Sequence, residues 1–199
     1  MNPIIADLNH KIRALEEELE VQLALASADL HLRIEGGKIE FEKAVLRRHR
    51  EMKTRLSHYV LGAKPLIVLT APLIYSLIVP LVLLDVFMTI YQAACFPVYD
   101  IPKVRRKDYF IFDRRYLAYL NLLEKFNCAF CSYGNGLLGY AREIASRTER
   151  YWCPIKHARK VLGAHPRYGE FSDFGDATAY RDGVAALNER VRADRDEKR

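Results

Sequence analysis

The spacing of hydrophobic and polar positions changes repeatedly along this 199-residue chain. From Pro3 to about Ala26, Ile5, Leu8, Ile12, Leu15 and Leu19 recur at alternating intervals of three and four. Lys11, Arg13, Glu16, Glu17 and Glu18 occupy the other faces. This predicts an amphipathic helix with a short coiled-coil seam. The seam covers little more than two heptads, too little to be stable alone. It must pack on the next elements or on the same helix of a second subunit.

Between Leu30 and Lys43 the period drops to two. Alternating runs flank Gly36-Gly37, the signature of a two-residue hairpin turn in which glycine supplies positive φ. Pairing about that turn sets Ile34 opposite Ile39 and Leu32 opposite Phe41 on one face. Glu35 then meets Lys38, and Arg33 meets Glu40, on the other. A lone hairpin is marginal in water, so its apolar face needs a cover. A basic helix is expected next, from about Glu42 to Leu61, carrying Arg47, Arg48, Arg50, Lys53 and Arg55.

From Pro65 to Tyr99 the periodicity gives way to continuous hydrophobicity, and Asp85 is the one charged residue. The run exceeds the roughly 18 apolar residues that mark a membrane segment. As one straight helix it would extend about 50 Å, beyond a hydrocarbon core of about 30 Å. As two full spans it is too short. Pro80 lies near its middle and removes a backbone hydrogen bond. Basic residues flank both ends: Arg50, Lys53, Arg55 and Lys64 before, Lys103, Arg105, Arg106 and Lys107 after. Positive charge on both sides places both ends in the cytoplasm. A re-entrant helix-break-helix wedge satisfies these observations, with a single tilted span as the alternative. Asp85 falls just past the break, where an ionisable group needs a partner or a task.

The aromatic zone of Tyr91, Phe96, Tyr99, Tyr109, Phe110 and Phe112 beside the KVRRK run reads as an interfacial belt with headgroup anchors. Asp113 is expected to cap a helix running through about Phe126. Gly134, Asn135 and Gly136 read as a tight turn, followed by a helix from about Leu137 to Arg150. Cys153-Pro154 reads as a further helix start.

The cysteines supply the candidate chemistry. Cys128-x2-Cys131 is followed 21 residues later by Cys153-x3-His157. Thiolates and an imidazole, paired in this way, form a tetrahedral ligand set for zinc or iron. The intervening helix would return the chain to the site. Cys128, Cys131, Cys153 and His157 are therefore the expected metal ligands, with His165 and Asp173 as spare candidates. A closed four-donor set indicates structural zinc, whereas an iron or [2Fe–2S] centre at the same ligands would make the chain a redox protein. Buried apolar cysteine is the plain alternative. A thioredoxin-type pair lacks its preceding strand, and Ser132 stands where haem attachment needs histidine. Over Cys153 to His157 the set resembles the CDGSH iron–sulfur family, which implies a membrane-anchored protein with a [2Fe–2S] cluster. That family separates its first two ligands by one residue and follows its third cysteine with Asp-Gly-Ser. Here the spacing is Cys128-x2-Cys131, and Pro154-Ile155-Lys156 follows Cys153.

The net charge of +6 is spread along the chain and forms no nucleic-acid footprint. Its clustering beside the apolar run points instead to anionic lipid headgroups. The N-terminus has no basic region leading into a short apolar core, so no secretory signal is read there. Neither G-x-x-x-x-G-K nor G-x-G-x-x-G occurs, and no nucleophile–base pairing stands out. Asp173-Phe174-Gly175 has no kinase element around it. An interfacial enzyme acting on a lipid-linked substrate, with Asp85 or Asp100 near the headgroups, therefore lacks its machinery.

The sequence thus predicts a mainly α membrane-associated protein. It comprises an N-terminal helix, hairpin and basic-helix module (1–64), a Pro-interrupted membrane segment (65–99), a helical cytosolic domain around a Cys3His metal site (100–168), and a polar tail (169–199) read as a short charged helix or disorder beyond Val184. The expected role is that of a non-enzymatic structural or interaction protein at the cytoplasmic (inner) membrane, its soluble parts cytoplasmic. The expected assembly is a homo-oligomer through residues 4–43.

Overall fold

The computed structural model describes residues 3–28, 32–35, 38–41, 43–181 and 183; the expected helix or disorder of 184–199 lies outside them. The described chain is mostly helical, with one long apolar helical stretch over Pro65–Val98. It divides into two compact units. One joins residues 1–64 to 112–130, and the other joins 65–111 to 131–199.

In the first unit, α1 spans Pro3–Ala28. Strands β1 (Leu32–Glu35) and β2 (Lys38–Phe41) pair antiparallel, Leu32 with Phe41 and Ile34 with Ile39. The basic helix is shorter than the pattern implies. It runs as α2 (Lys43–Glu51) and α3 (Leu56–Leu61), and the first piece ends where Lys53 N–H turns back to the Arg50 carbonyl. β2 lies against a 3-10 turn over Asp113–Tyr116. His49 sits edge-on to Phe41 at 5.3 Å and to Tyr119 at 5.1 Å.

The helix expected from Asp113 begins instead at Leu122, and Asn121 is its cap. Asn121 Oδ1 accepts from Glu124 N–H at 3.0 Å, while Glu124 Oε2 accepts from Asn121 N–H at 2.8 Å. This reciprocal capping box satisfies two donors that would otherwise be orphaned.

In the second unit, the apolar stretch forms α4 (Pro65–Ser76) and α5 (Ile78–Val98). Pro80 has no N–H to offer the Ser76 carbonyl. The ladder slips there: Leu77 N–H bonds Ile74 O at 3.2 Å, and Leu81 N–H then bonds Leu77 O at 3.2 Å. Leu77 itself keeps right-handed helical angles, φ −61° and ψ −15°. The chain therefore continues forward through the interruption.

α6 runs unbroken over Leu122–Trp152, through the glycines read as a turn. The second-unit part of α6 lies parallel to α5, because partners ascend together: Leu81 beside Gly134, Gln92 on Tyr140, Tyr99 on Tyr151. Residues 101–111 return down these two helices as a strap. Ile101 N–H bonds Phe96 O, Val104 bonds Gln92, and Arg106 reaches Asp85. Phe96, Ile101, Val104, Leu137, Tyr140 and Ile144 form the core, each at most 5% exposed. Burying each such side chain contributes about 1.5–3 kcal/mol.

The polar tail begins later than the composition implies. Phe171 is 3% exposed, and Ser172 exchanges backbone hydrogen bonds with Pro154 and Lys156. That pairing holds the segment after α6 extended, so Cys153-Pro154 starts no helix.

Candidate functional site

The continuity of α6 decides where the cysteines fall. Cys131 lies on the helix and Cys153 just past its end, so they stand about 33 Å apart along the axis at 1.5 Å per residue. Zinc needs its donors about 2.0–2.3 Å from one centre. The expected return of the intervening chain does not occur, because no turn separates the two ends of the helix. Among the described residues no group of three or more His, Cys, Asp or Glu side chains is gathered for a metal. Cys128, Cys131, Cys153 and His157 do not fit one zinc, nor one iron or iron–sulfur centre.

Each expected ligand instead has local surroundings. Cys128 and Cys95 are partly buried free thiols, and Cys131 and Cys153 are exposed ones. The His157 ring stacks on Tyr168 at 6.4 Å, and its backbone N–H donates to Tyr168 Oη at 2.6 Å. His165 Nε2 lies 3.0 Å from Glu149, with Tyr168 and Phe171 against its ring. Asp173 pairs with Lys156 at 2.8 Å, and that ammonium holds its carboxyl below the usual range.

The strongest polar constellation surrounds Asp85. Its carboxylate takes both Arg106 amino groups, with Nη2 at 2.9 Å from Oδ2 and Nη1 on Oδ1. Tyr133 Oη donates to Oδ2 at 3.0 Å, and Thr89 Oγ1 to Oδ1 at 3.3 Å. The guanidinium also lies over the Phe110 ring at 4.3 Å, a cation–π contact. Bonding to the carboxylate raises the Arg106 pKa further, even though burial opposes it. With its oxygens occupied in this way, Asp85 is a fixed charge that ties α5, the strap and α6 together.

Two turns further along α5 the strap is gripped again. Gln92 is 6% exposed. Its Oε1 accepts from Val104 N–H at 2.6 Å, and its Nε2 donates to Val104 O at 3.3 Å and Tyr140 Oη at 2.8 Å. The side-chain amide thus acts as a strand partner for a peptide unit that no sheet supports. Tyr91 Oη meets Thr148 Oγ1 at 3.0 Å. Beside Tyr140 on α6, Glu143 accepts from Arg147 at 2.8 Å and from Arg167 at 2.7 and 2.8 Å. Arg147 also donates to Pro102 O at 2.5 Å. Burial pushes the Glu143 carboxyl up, but Arg167 and Arg147 outweigh it and hold its pKa below the usual range.

The sequence flagged Asp85 as needing a partner but assigned the KVRRK run wholly to lipid. A solitary acid in an apolar helix, followed by a basic run, was the available signal for the Asp85–Arg106 pair. Gln92 and Tyr140 carried no such mark. No protein-family model, curated protein or solved structure matches the chain. Geometry and chemistry alone carry the functional reading.

Proposed function

We propose that this chain is a membrane-inserted, non-enzymatic protein that acts through structural contacts and partner interactions. The observation carrying the reading is the Pro65–Val98 stretch, a helix long and apolar enough to cross a membrane, whose most apolar 18-residue window has none of its residues buried. Leu66, Leu69, Leu73, Val79, Leu83 and Phe87 are each more than half exposed. That apolar surface is costly in water and is covered readily by lipid.

The basic residues on either side of the stretch support contact with anionic headgroups, and with it a place at the inner face of the cytoplasmic membrane. The exposed α1 seam of Leu8, Ile12, Leu15 and Leu19, each 52–65% exposed, supports a homo-oligomer through residues 4–43. The separated thiols leave neither zinc nor an iron centre a place in this reading. Fractionation tests it: the protein should stay in the membrane pellet through an alkaline carbonate wash and leave it only with detergent. Release by carbonate alone would overturn the proposal.

A further inference from the structure

The first unit is built from chain on both sides of the apolar stretch, since residues 1–64 and 112–130 form one compact body. The joint is specific. The His49 ring is held between Phe41, which precedes the stretch, and Tyr119, which follows it, and β2 lies against the Asp113–Tyr116 turn. Groups in such contact cannot stand on opposite faces of a bilayer. Between Lys64 and Phe112 the chain must therefore cross an even number of times.

The return path cannot supply a second crossing. After Val98 comes the strap, which carries Lys103, Arg105, Arg106, Lys107 and Asp108 within six residues. Only the Asp85–Arg106 and Arg105–Asp108 pairs neutralise charge there among the described residues, and Lys103 and Lys107 are exposed. Free ammonium groups on an extended strap are not tolerated in hydrocarbon. One candidate crossing and no second leaves an even count of zero.

We infer that the α4–α5 rod enters the acyl chains of one leaflet and does not cross the bilayer, with its two flanks on the same face; this rests on the membrane reading above. The rod is not a hairpin dipping to a tip, because Leu77 keeps helical angles and the chain does not reverse there. It has the surface that one-sided insertion needs. On α5, Asp85, Thr89 and Gln92 face the strap and α6, while Leu83, Phe87 and Ile90 are exposed on the opposite side. On α4, the two hydroxyls bond back within the helix, Thr70 to Ile67 O and Ser76 to Leu73 O. Neither needs water.

The test is topological and uses the full-length chain. Lys53→Cys and Arg114→Cys, introduced singly after the four native cysteines are replaced, are exposed to a membrane-impermeant maleimide in sealed right-side-out and inside-out vesicles. Both positions should label from the same side, each at least tenfold faster there than from the other. Labelling from opposite sides would overturn the inference. Because the cysteine replacements can perturb folding, a second measurement keeps the sequence unaltered. Green fluorescent protein, which matures only in the cytoplasm, is fused to one end of the chain or the other. Both fusions should be equally bright, and one bright with one dark would equally overturn it. Release of the unfused chain by carbonate would instead refute the membrane reading itself.

Discussion

Asp85 on α5 is held by Arg106, 21 residues later, through both amino groups of one guanidinium. The two side chains differ in exposure, 14% for the acid and 44% for the base. The acid is thus the member that loses most when the pair is broken. Removing the base by Arg106→Ala leaves a largely buried carboxylate with only Tyr133 and Thr89, and should cost about 2 kcal/mol. Asp85→Asn in the same chain should restore part of that loss. Thermal unfolding of the four members of the cycle in mild detergent measures both terms, and strict additivity would show that the pair does not couple.

Two glycines about half a turn apart on α6 should respond in opposite ways. A Cβ at Gly136 would meet Tyr109 O at 2.6 Å and Phe110 Cα at 3.3 Å, backbone that cannot step aside without moving the strap. A Cβ at Gly134 would meet only Leu81 Cδ1, at 3.5 Å, an ordinary contact. Gly136→Ala should therefore destabilise by about 1–3 kcal/mol, as overpacking does. Gly134→Ala should stabilise by up to about 1 kcal/mol through helix propensity. Unfolding midpoints of the two variants decide the matter.

The Glu143 cluster predicts an acid limit. A carboxyl whose folded pKa lies below its unfolded value stabilises fully above the unfolded value, and loses that stabilisation as pH falls through the folded one. Glu143 is such a group, held down by Arg167 and Arg147 against the opposing effect of burial. Stability should be level near neutrality and fall below about pH 4.5. Glu143→Gln should lower the neutral plateau and flatten that acid slope, as unfolding followed across pH will reveal.

Chelation should leave this protein unmoved. With Cys131 and Cys153 separated by about 33 Å along α6, no single ion joins them. A strong zinc chelator is expected to change the unfolding temperature by no more than the error of the scan. Cys131→Ser and Cys153→Ser should each change stability by less than about 0.5 kcal/mol, as exposed substitutions usually do. One tightly held zinc per chain, lost in either variant, would contradict the arrangement.

What the sequence could disclose follows from the range of each interaction. The apolar stretch and the α1 seam are local patterns, readable without knowing what lies nearby. The Asn121–Glu124 capping box was equally local, but Asp113 competed for the same role and lacked the reciprocal glutamate. Gly134 and Gly136 misled because glycine is common both in turns and where backbones approach closely. Only the strap, more than twenty residues upstream in sequence, distinguishes the two. The C-x2-C and C-x3-H spacing carried a tacit condition, that the chain between them doubles back. A continuous helix removes it. Gln92 was invisible for the complementary reason, since its meaning lies wholly in Val104 and Tyr140.

The parallel course of α5 and α6 has a consequence for the order of events at the ribosome. α5 is complete when Val98 has been made, but the groups that complete its polar face come later. Tyr133 follows Asp85 by 48 residues, Tyr140 follows Gln92 by 48, and Thr148 follows Tyr91 by 57. At about 5–20 residues per second, the finished helix waits roughly 2–10 s for its partners. During that interval the face of α5 that α6 will cover, with Asp85 and Gln92 on it, has only the strap to meet its polar groups. The nascent chain must therefore be sheltered before it can close on itself, and the speed of translation sets how long that shelter has to last.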